Sequence, residues 1–234
     1  MAKHKIRRIS KRDLSIIKHA ARYRLTTKET LHRLFFDANA PNAVTKVVNR
    51  LCDENWLSKF PLLYPRQYFV PGKRAVHSLG LPLARSLPMG PQSLPTDFAI
   101  LAYAMSEKGV RRITTKDLVP HFPWYRAEWT FSPHLLRASK ETSTLEIVRI
   151  DLGGPADHVA RKCYSDVFTR HESKEFRDAI REQRIRLVVI TATTDKASAI
   201  QLALQGHAWP PGLGLHLSVI PDLLPLLPRC PDAT

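Results

Sequence analysis

Apolar residues recur along the first third of the chain at the spacing of helices that bury one face. In residues 10–23, Leu14, Ile17 and Ala21 share a side, with Ile16 and Ala20 widening it. Ser10 suits the N-cap of this helix and Asp13 its first turn. The run Thr26-Thr27-Lys28-Glu29 has the form of a capping box, and it predicts a second helix with Leu31, Leu34 and Phe35 inward. Residues 37–40 read as a turn. A third helix over 41–55 follows, with Pro41 in its first turn and Val44, Val47, Val48 and Leu51 on its buried face. The run ends at Asn55, and asparagine is, after glycine, the residue best suited to close a helix.

After Trp56, which sits at a joint where core packing is expected, the period changes from helix to strand. Residues 57–60 and 67–70 are short β-like runs around the turn Tyr64-Pro65-Arg66. Three helices and then a hairpin predict a winged helix-turn-helix, with the third helix as groove reader and the hairpin as wing. A short segment over 75–79 follows. Residues 81–95 hold four prolines and a glycine without periodicity, which predicts a linker.

Beyond it, residues 97–107 read as an apolar helix ended by Gly109, and 114–118 as a short one. The aromatic run His121-Phe122-Pro123-Trp124-Tyr125 fits packing, or a base-stacking platform beside Arg126. From Phe131 the pattern is β, β, α, β, α, β. Strands are expected at 135–137, 145–151, 185–191 and 215–220, with helices over 156–180, broken near His171, and 196–205. Residues 221–234, rich in proline, read as a poorly ordered end. The predicted class is α+β: a winged helix over 1–80 with a basic N-terminal arm, a linker over 81–95, a small α/β module over 96–222 and a tail over 223–234.

Charge changes the picture. The chain carries +15 at neutral pH. Residues 1–80 hold 17 Lys and Arg against 5 Asp and Glu, while 81–234 hold 19 against 16. A charge confined to one module points to a polyanion bound there. Cys52, Cys163 and Cys230 lie far apart, so neither a disulfide framework nor a zinc finger is expected. With no signal-like apolar segment and no membrane-length run, the expected setting is a reducing cytoplasm.

Leu31-His32-Arg33-Leu34-Phe35-Phe36, then Asn49-Arg50-Leu51-Cys52-Asp53-Glu54-Asn55-Trp56-Leu57, then the segment from Gln67 to Gly80, resemble the replication-relaxation family. These are winged-helix proteins of bacterial plasmids and other mobile elements. The resemblance covers about residues 10–80 well and rests on packing motifs. It implies a double-stranded DNA-binding protein acting in transcriptional regulation or in plasmid replication or transfer, as a homodimer, with another mobile-element protein as a further partner. The residues expected to meet DNA are Asn42, Thr45, Lys46, Asn49 and Arg50 on the third helix, Arg66 on the wing, and Arg7, Arg8 and Arg12 on phosphates.

The second half of such proteins resembles a restriction-endonuclease core, in which carboxylates converge on Mg²⁺. Here His134 stands where the first of those carboxylates belongs, and Arg149 precedes Asp151 on the next strand. Arg149 and Asp151 point to one side of a strand and can form an ion pair that Lys162 joins. The expectation is therefore a degenerate site (His134, Arg149, Asp151, Lys162) with no metal, no cofactor and no catalytic residue. A Mg²⁺-dependent nuclease or nickase is one alternative and a protein-binding adaptor the other. Phosphate-binding, nucleophile-elbow and zinc-protease motifs are absent from the sequence.

Overall fold

The structure, a computed structural model, describes residues 9–36, 41–139 and 142–227. It divides into two units, Met1–Met89 and Gly90–Thr234. The boundary falls inside the expected linker. Among the described residues the strands form one three-stranded and one five-stranded sheet.

In the first unit, helix α1 (Lys11–Tyr23) opens with a capping box. The Asp13 backbone N–H donates to the Ser10 hydroxyl at 3.1 Å, and the Asp13 carboxylate accepts from the Ser10 N–H at 3.2 Å. Its inner face is Asp13, Ile16, Ile17, Ala20 and Tyr23. Leu14, expected inside, is 39% exposed, because the stripe closes on Tyr23 and leaves Leu14 beyond its edge. The expected capping box at Thr26 shifts by one residue. Thr26 and Thr27 form strand β1 against a later strand, and Thr27 is the cap of helix α2 (Lys28–Phe35), its hydroxyl accepting from the Thr30 N–H at 3.3 Å. Leu31 is fully buried in α2, whereas Leu34 faces outward at 42% exposure.

Helix α3 (Pro41–Asp53) buries Val44, Val48 and Leu51. Asn55 follows it at φ 60°, the left-handed turn expected of it. Strands β2 (Leu57–Leu63) and β3 (Arg66–Pro71) form the hairpin, and β1 pairs antiparallel with β3, giving the order β1-β3-β2. Residues 37–40, expected as a turn, lie outside the described residues. Helix α4 (Lys73–Ser78) closes the unit, with its Arg74 guanidinium 4.4 Å from the Trp56 ring centroid. The 81–95 stretch is not a free linker. Residues Leu83–Ser86 form a 3-10 turn, and the Tyr68 hydroxyl accepts from the Met89 N–H at 2.9 Å. Its last residues already belong to the next helix.

The second unit begins with α5 (Ser93–Ser106), an apolar helix that starts earlier than its sequence pattern predicts. Its sheet runs β4 (Val110–Arg112), β5 (His134–Ala138), β6 (Ser143–Ile150), β7 (Ile185–Thr191), β8 (Gly214–Val219) in spatial order. The pairs β4–β5 and β5–β6 are antiparallel, while β6–β7 and β7–β8 are parallel. Strand β4, with two arginines in three residues, has no apolar alternation to predict it. The short helix α6 (Thr115–Leu118) carries a Thr114/Asp117 capping box. The long helical stretch breaks after His171 into α7 (Ala156–His171) and α8 (Lys174–Arg181), the second capped by Ser173. Helix α9 (Thr194–Gln205) follows β7.

Leu145, Ile147, Leu187 and Val189 on one sheet face join Val159, Cys163 and Val167 of α7, Phe176 of α8 and Ile200 and Leu204 of α9 in the core. The expected poorly ordered end is instead held through residue 227. The Ile220 N–H donates to the Thr191 carbonyl at 2.8 Å, and Leu223 is buried in a 3-10 turn. Residues 228–234 lie outside the description. Among the described residues, no helix is long and apolar enough to cross a membrane.

The joint between α3 and α4 tests the packing of the first unit. A Cβ built on Gly72 would lie 2.3 Å from the Asn55 carbonyl oxygen, well inside contact distance with backbone that cannot swing away. Gly72→Ala should therefore lower stability in urea unfolding by about 1–3 kcal/mol. Asn55→Gly, which suits a left-handed residue, should change it by no more than about 1 kcal/mol. An unchanged midpoint for Gly72→Ala would contradict this packing.

Candidate functional site

On α3 the residues expected to meet DNA lie at positions 42, 45, 46, 49 and 50, one stripe of a helical surface. Asn42, Lys46 and Asn49 are exposed, and Thr45 and Arg50 are half-buried beside them. The opposite stripe, Val44, Val48 and Leu51, is in the core with Ile16, Ile17, Leu31 and Trp56. The polar stripe thus faces out because the apolar one has a place to go.

Arg50 differs from its neighbours. Its Nη2 donates to Asp13 Oδ1 at 2.9 Å and its Nη1 lies 3.5 Å from Glu54. Burial raises the Asp13 pKa, but hydrogen bonds from Ser10 and Arg50 outweigh it and hold the carboxyl below its usual value. Arg50 is therefore engaged by the fold itself, as a link from α3 to the first turn of α1.

Arg12 is exposed on α1, its guanidinium 4.7 Å from the Phe36 ring centroid. Arg66 opens β3, and the fully exposed Tyr64 forms the hairpin tip. Lys28 and Glu29, at the start of α2, line a small cleft of about 170 Å³ with Pro65, Arg66 and Gln67. Arg7 and Arg8 lie outside the described residues.

In the second unit the four residues of the expected degenerate site do not assemble as predicted. Arg149 pairs with Asp166 of α7, not with Asp151. Asp151 is buried and accepts from the Gly153 N–H at 3.0 Å and the Thr191 hydroxyl at 3.1 Å. Lys162 is exposed on α7. Strand period would put Arg149 and Asp151 on one side, but β6 ends at Ile150, and Asp166 of α7 and Thr191 of β7 partner them instead.

His134, at the start of β5, is buried in a hydrogen-bonded chain. Arg170 Nε donates to the Tyr125 hydroxyl at 2.8 Å, and that hydroxyl lies 2.6 Å from His134 Nε2. With Arg170 as donor, the Tyr125 proton is directed to the ring nitrogen, which requires neutral histidine. Burial and the nearby Arg170 charge push the His134 pKa down to about 3, against a hydrogen bond with the Ser132 backbone.

Arg170 is fully buried. Its Nη2 donates to the Trp129 carbonyl at 2.6 Å and the Ser132 hydroxyl at 3.1 Å, and its Nη1 to the Asp166 carbonyl. Among the described residues no group of three or more His, Cys, Asp or Glu side chains could hold a metal ion.

Sequence reasoning missed Arg170, Asp166 and Tyr125. Their partners are 38 and 45 residues apart for Ser132 and Tyr125, and an arginine on a polar-looking helix reads as solvated. The run 121–125 is not a stacking platform. Phe122 and Tyr125 are buried, and Trp124 packs edge-on to Phe122 and Phe176. Compared with known proteins, the chain matches no family model, no curated protein and no solved structure.

The histidine gives a pH test. Above pH 6.5 it is neutral folded or unfolded. As pH falls from 6.5 toward about 3 the unfolded chain binds a proton that the folded one refuses, so stability declines through that window. Urea midpoints should be lower at pH 5 than at pH 7.5, and His134→Gln should reduce that difference. His19, pushed down to about 4 by burial and by Arg22, adds a similar slope that the variant keeps. Identical pH slopes in parent and variant would contradict the neutral, buried histidine.

Proposed function

We propose that the first unit is a winged helix-turn-helix that binds double-stranded DNA, with α3 in the major groove and the β2–β3 hairpin as its wing. The observation that carries the reading is the outward stripe of Asn42, Lys46 and Asn49 on a helix whose other side is core. These are side chains that reach base edges and phosphates. The concentration of positive charge in residues 1–80 supports it, since counterion release from DNA needs a local cation surplus. Arg50 in this reading sets the angle of α3 rather than reading a base. Arg12 and Arg66 are assigned to phosphates, together with Arg7 and Arg8 of the arm.

The likeness of residues 10–80 to replication-relaxation proteins supports a role in a mobile element, in transcriptional control or in plasmid replication or transfer. A homodimer on an inverted repeat is the assembly that a single recognition helix per protomer favours. The second unit is read as a nuclease-like core that works by binding. Arg149, at the strand position where such a core would carry a metal-binding acid, is paired with Asp166, and this supports the reading.

Fluorescence anisotropy with a labelled duplex of random sequence tests the first claim. Affinity should fall by at least about tenfold between 50 and 200 mM salt. Lys46→Ala should weaken binding on all sequences and reduce the salt slope by about one, while Asn49→Ala should cost about 1–3 kcal/mol on a selected site and relax its preference there. A Lys46→Ala, Asn49→Ala double variant that binds duplex as tightly as the parent would sink the assignment of α3.

A further inference from the structure

The sheet face that carries even-numbered β6 residues holds a polar cluster with no part in the DNA reading. Glu146, in the middle of β6, is fully buried. Its Oε1 accepts from Arg137 Nε at 2.7 Å and lies 3.7 Å from Arg186 Nη1, while its Oε2 is buried without a hydrogen-bond partner. Arg137 also donates from Nη2 to the Tyr103 hydroxyl at 3.1 Å and to Glu107 at 3.0 Å. Arg137 is thus spent on the protein, between two carboxylates and a phenol. Arg186 is not. Among the described residues its contact is the 3.7 Å ion pair with Glu146, too long for a hydrogen bond. Its guanidinium keeps its donors.

That arginine also borders a cavity. Arg186 and Arg137, with Thr144, Gln183 and the Gly212–Gly214 turn, line a space of about 410 Å³ that opens to solvent. That volume is in the range of small-molecule sites. Two glycines form part of this wall. Gly214 pairs with Arg186 across β7–β8, and a Cβ there would come within 3.4 Å of the Arg186 stem. Gly212 turns the chain at φ 91°, where a Cβ would lie 2.8 Å from the Ile180 carbonyl oxygen. A Cβ at Gly214 would rest in ordinary van der Waals contact with the Arg186 stem.

Arg137 already meets Glu146 at hydrogen-bond distance, so Arg186 sits beside that carboxylate as an ion pair and spends no hydrogen bond on it. An arginine steered by a buried carboxylate, with its fork unspent at the wall of a cavity that also offers a hydroxyl and an amide, is built to accept an oxyanion. We propose that this cavity is a binding site for the phosphate or carboxylate group of a small molecule, with Arg186 as its principal ligand. The site stands whether or not the first unit binds DNA.

The test is calorimetric titration of the full chain at low salt with two probes, inorganic pyrophosphate and succinate, which separate the phosphate from the carboxylate source. One of them should bind with Kd below about 1 mM. Arg186→Ala should weaken that binding at least tenfold, and Arg186→Lys, which keeps a cation beside Glu146 but loses the fork, should also weaken it while changing the melting curve less. Lys46→Ala, on the other unit, should leave it unaltered, which separates this cavity from general attraction to a basic chain. The proposal is overturned if neither probe binds, or if Arg186→Ala binds as the parent does. It is also overturned if Arg186→Ala lowers duplex affinity by the same factor, since the cavity would then serve the DNA backbone.

Discussion

The carboxylate of Asp13 is the fixed point of the first unit. It closes the first turn of α1 through Ser10 and reaches across to Arg50 of α3 with its other oxygen. One acid therefore caps one helix and orients another. Hydrogen bonds to a charged group of this kind contribute roughly 1.5–3 kcal/mol, and 97% burial of Asp13 makes the arrangement costly to leave half made. The apolar packing of Val44, Val48 and Leu51 sets how deep α3 sits. The ion pair adds a restraint on its rotation, and rotation decides whether Asn42, Lys46 and Asn49 face outward together.

The second unit meets the opposite problem. Its sheet is packed on both faces, so charged residues inside it must be satisfied by one another. Arg170 does so with carbonyls and hydroxyls, and through Tyr125 it fixes the protonation state of His134. Glu146 does so with Arg137. These networks lie on opposite sides of the sheet, because His134 pairs with Ile147 and Glu146 with Leu135, and neighbouring residues of a strand alternate. Removing one member strands the rest in low dielectric, which makes such networks structural commitments as well as chemical ones.

Much of the first unit was legible because its signals are local. The left-handed Asn55, the Ser10 cap and the hairpin around Tyr64-Pro65 each follow from a few adjacent residues. Errors there were of phase. The cap moved from Thr26 to Thr27 because Thr26 pairs with Phe69, a strand contact across 43 residues that no local pattern contains. In the second unit the strands β6 and β7 and the break near His171 were also legible, from the change of period. The candidate site was not. Arg149 reads as the partner of Asp151 by strand period, yet Asp166 on α7 takes it, and only the packing angle of that helix decides between the two. Arg186 looks like any surface arginine in a strand, and its significance lies in Gly214 opposite it and Glu146 beside it.

That contrast suggests how function can be read when only the chain is in hand. The protein carries many arginines, and their number says little about any one of them. What distinguishes them is how many donors the fold consumes. Arg170 gives its donors to four groups of the protein, and Arg137 to three. A cation so occupied stabilises, and a ligand would have to displace those bonds at their full cost. Lys46 on α3 is exposed and Arg186 is held at ion-pair distance only, so each can bind an anion without breaking a hydrogen bond. The two positions differ in shape: one is on a convex helix suited to a groove, and the other on the wall of a cavity suited to a small molecule. In both proposals it is the local surface around the cation that selects the anion.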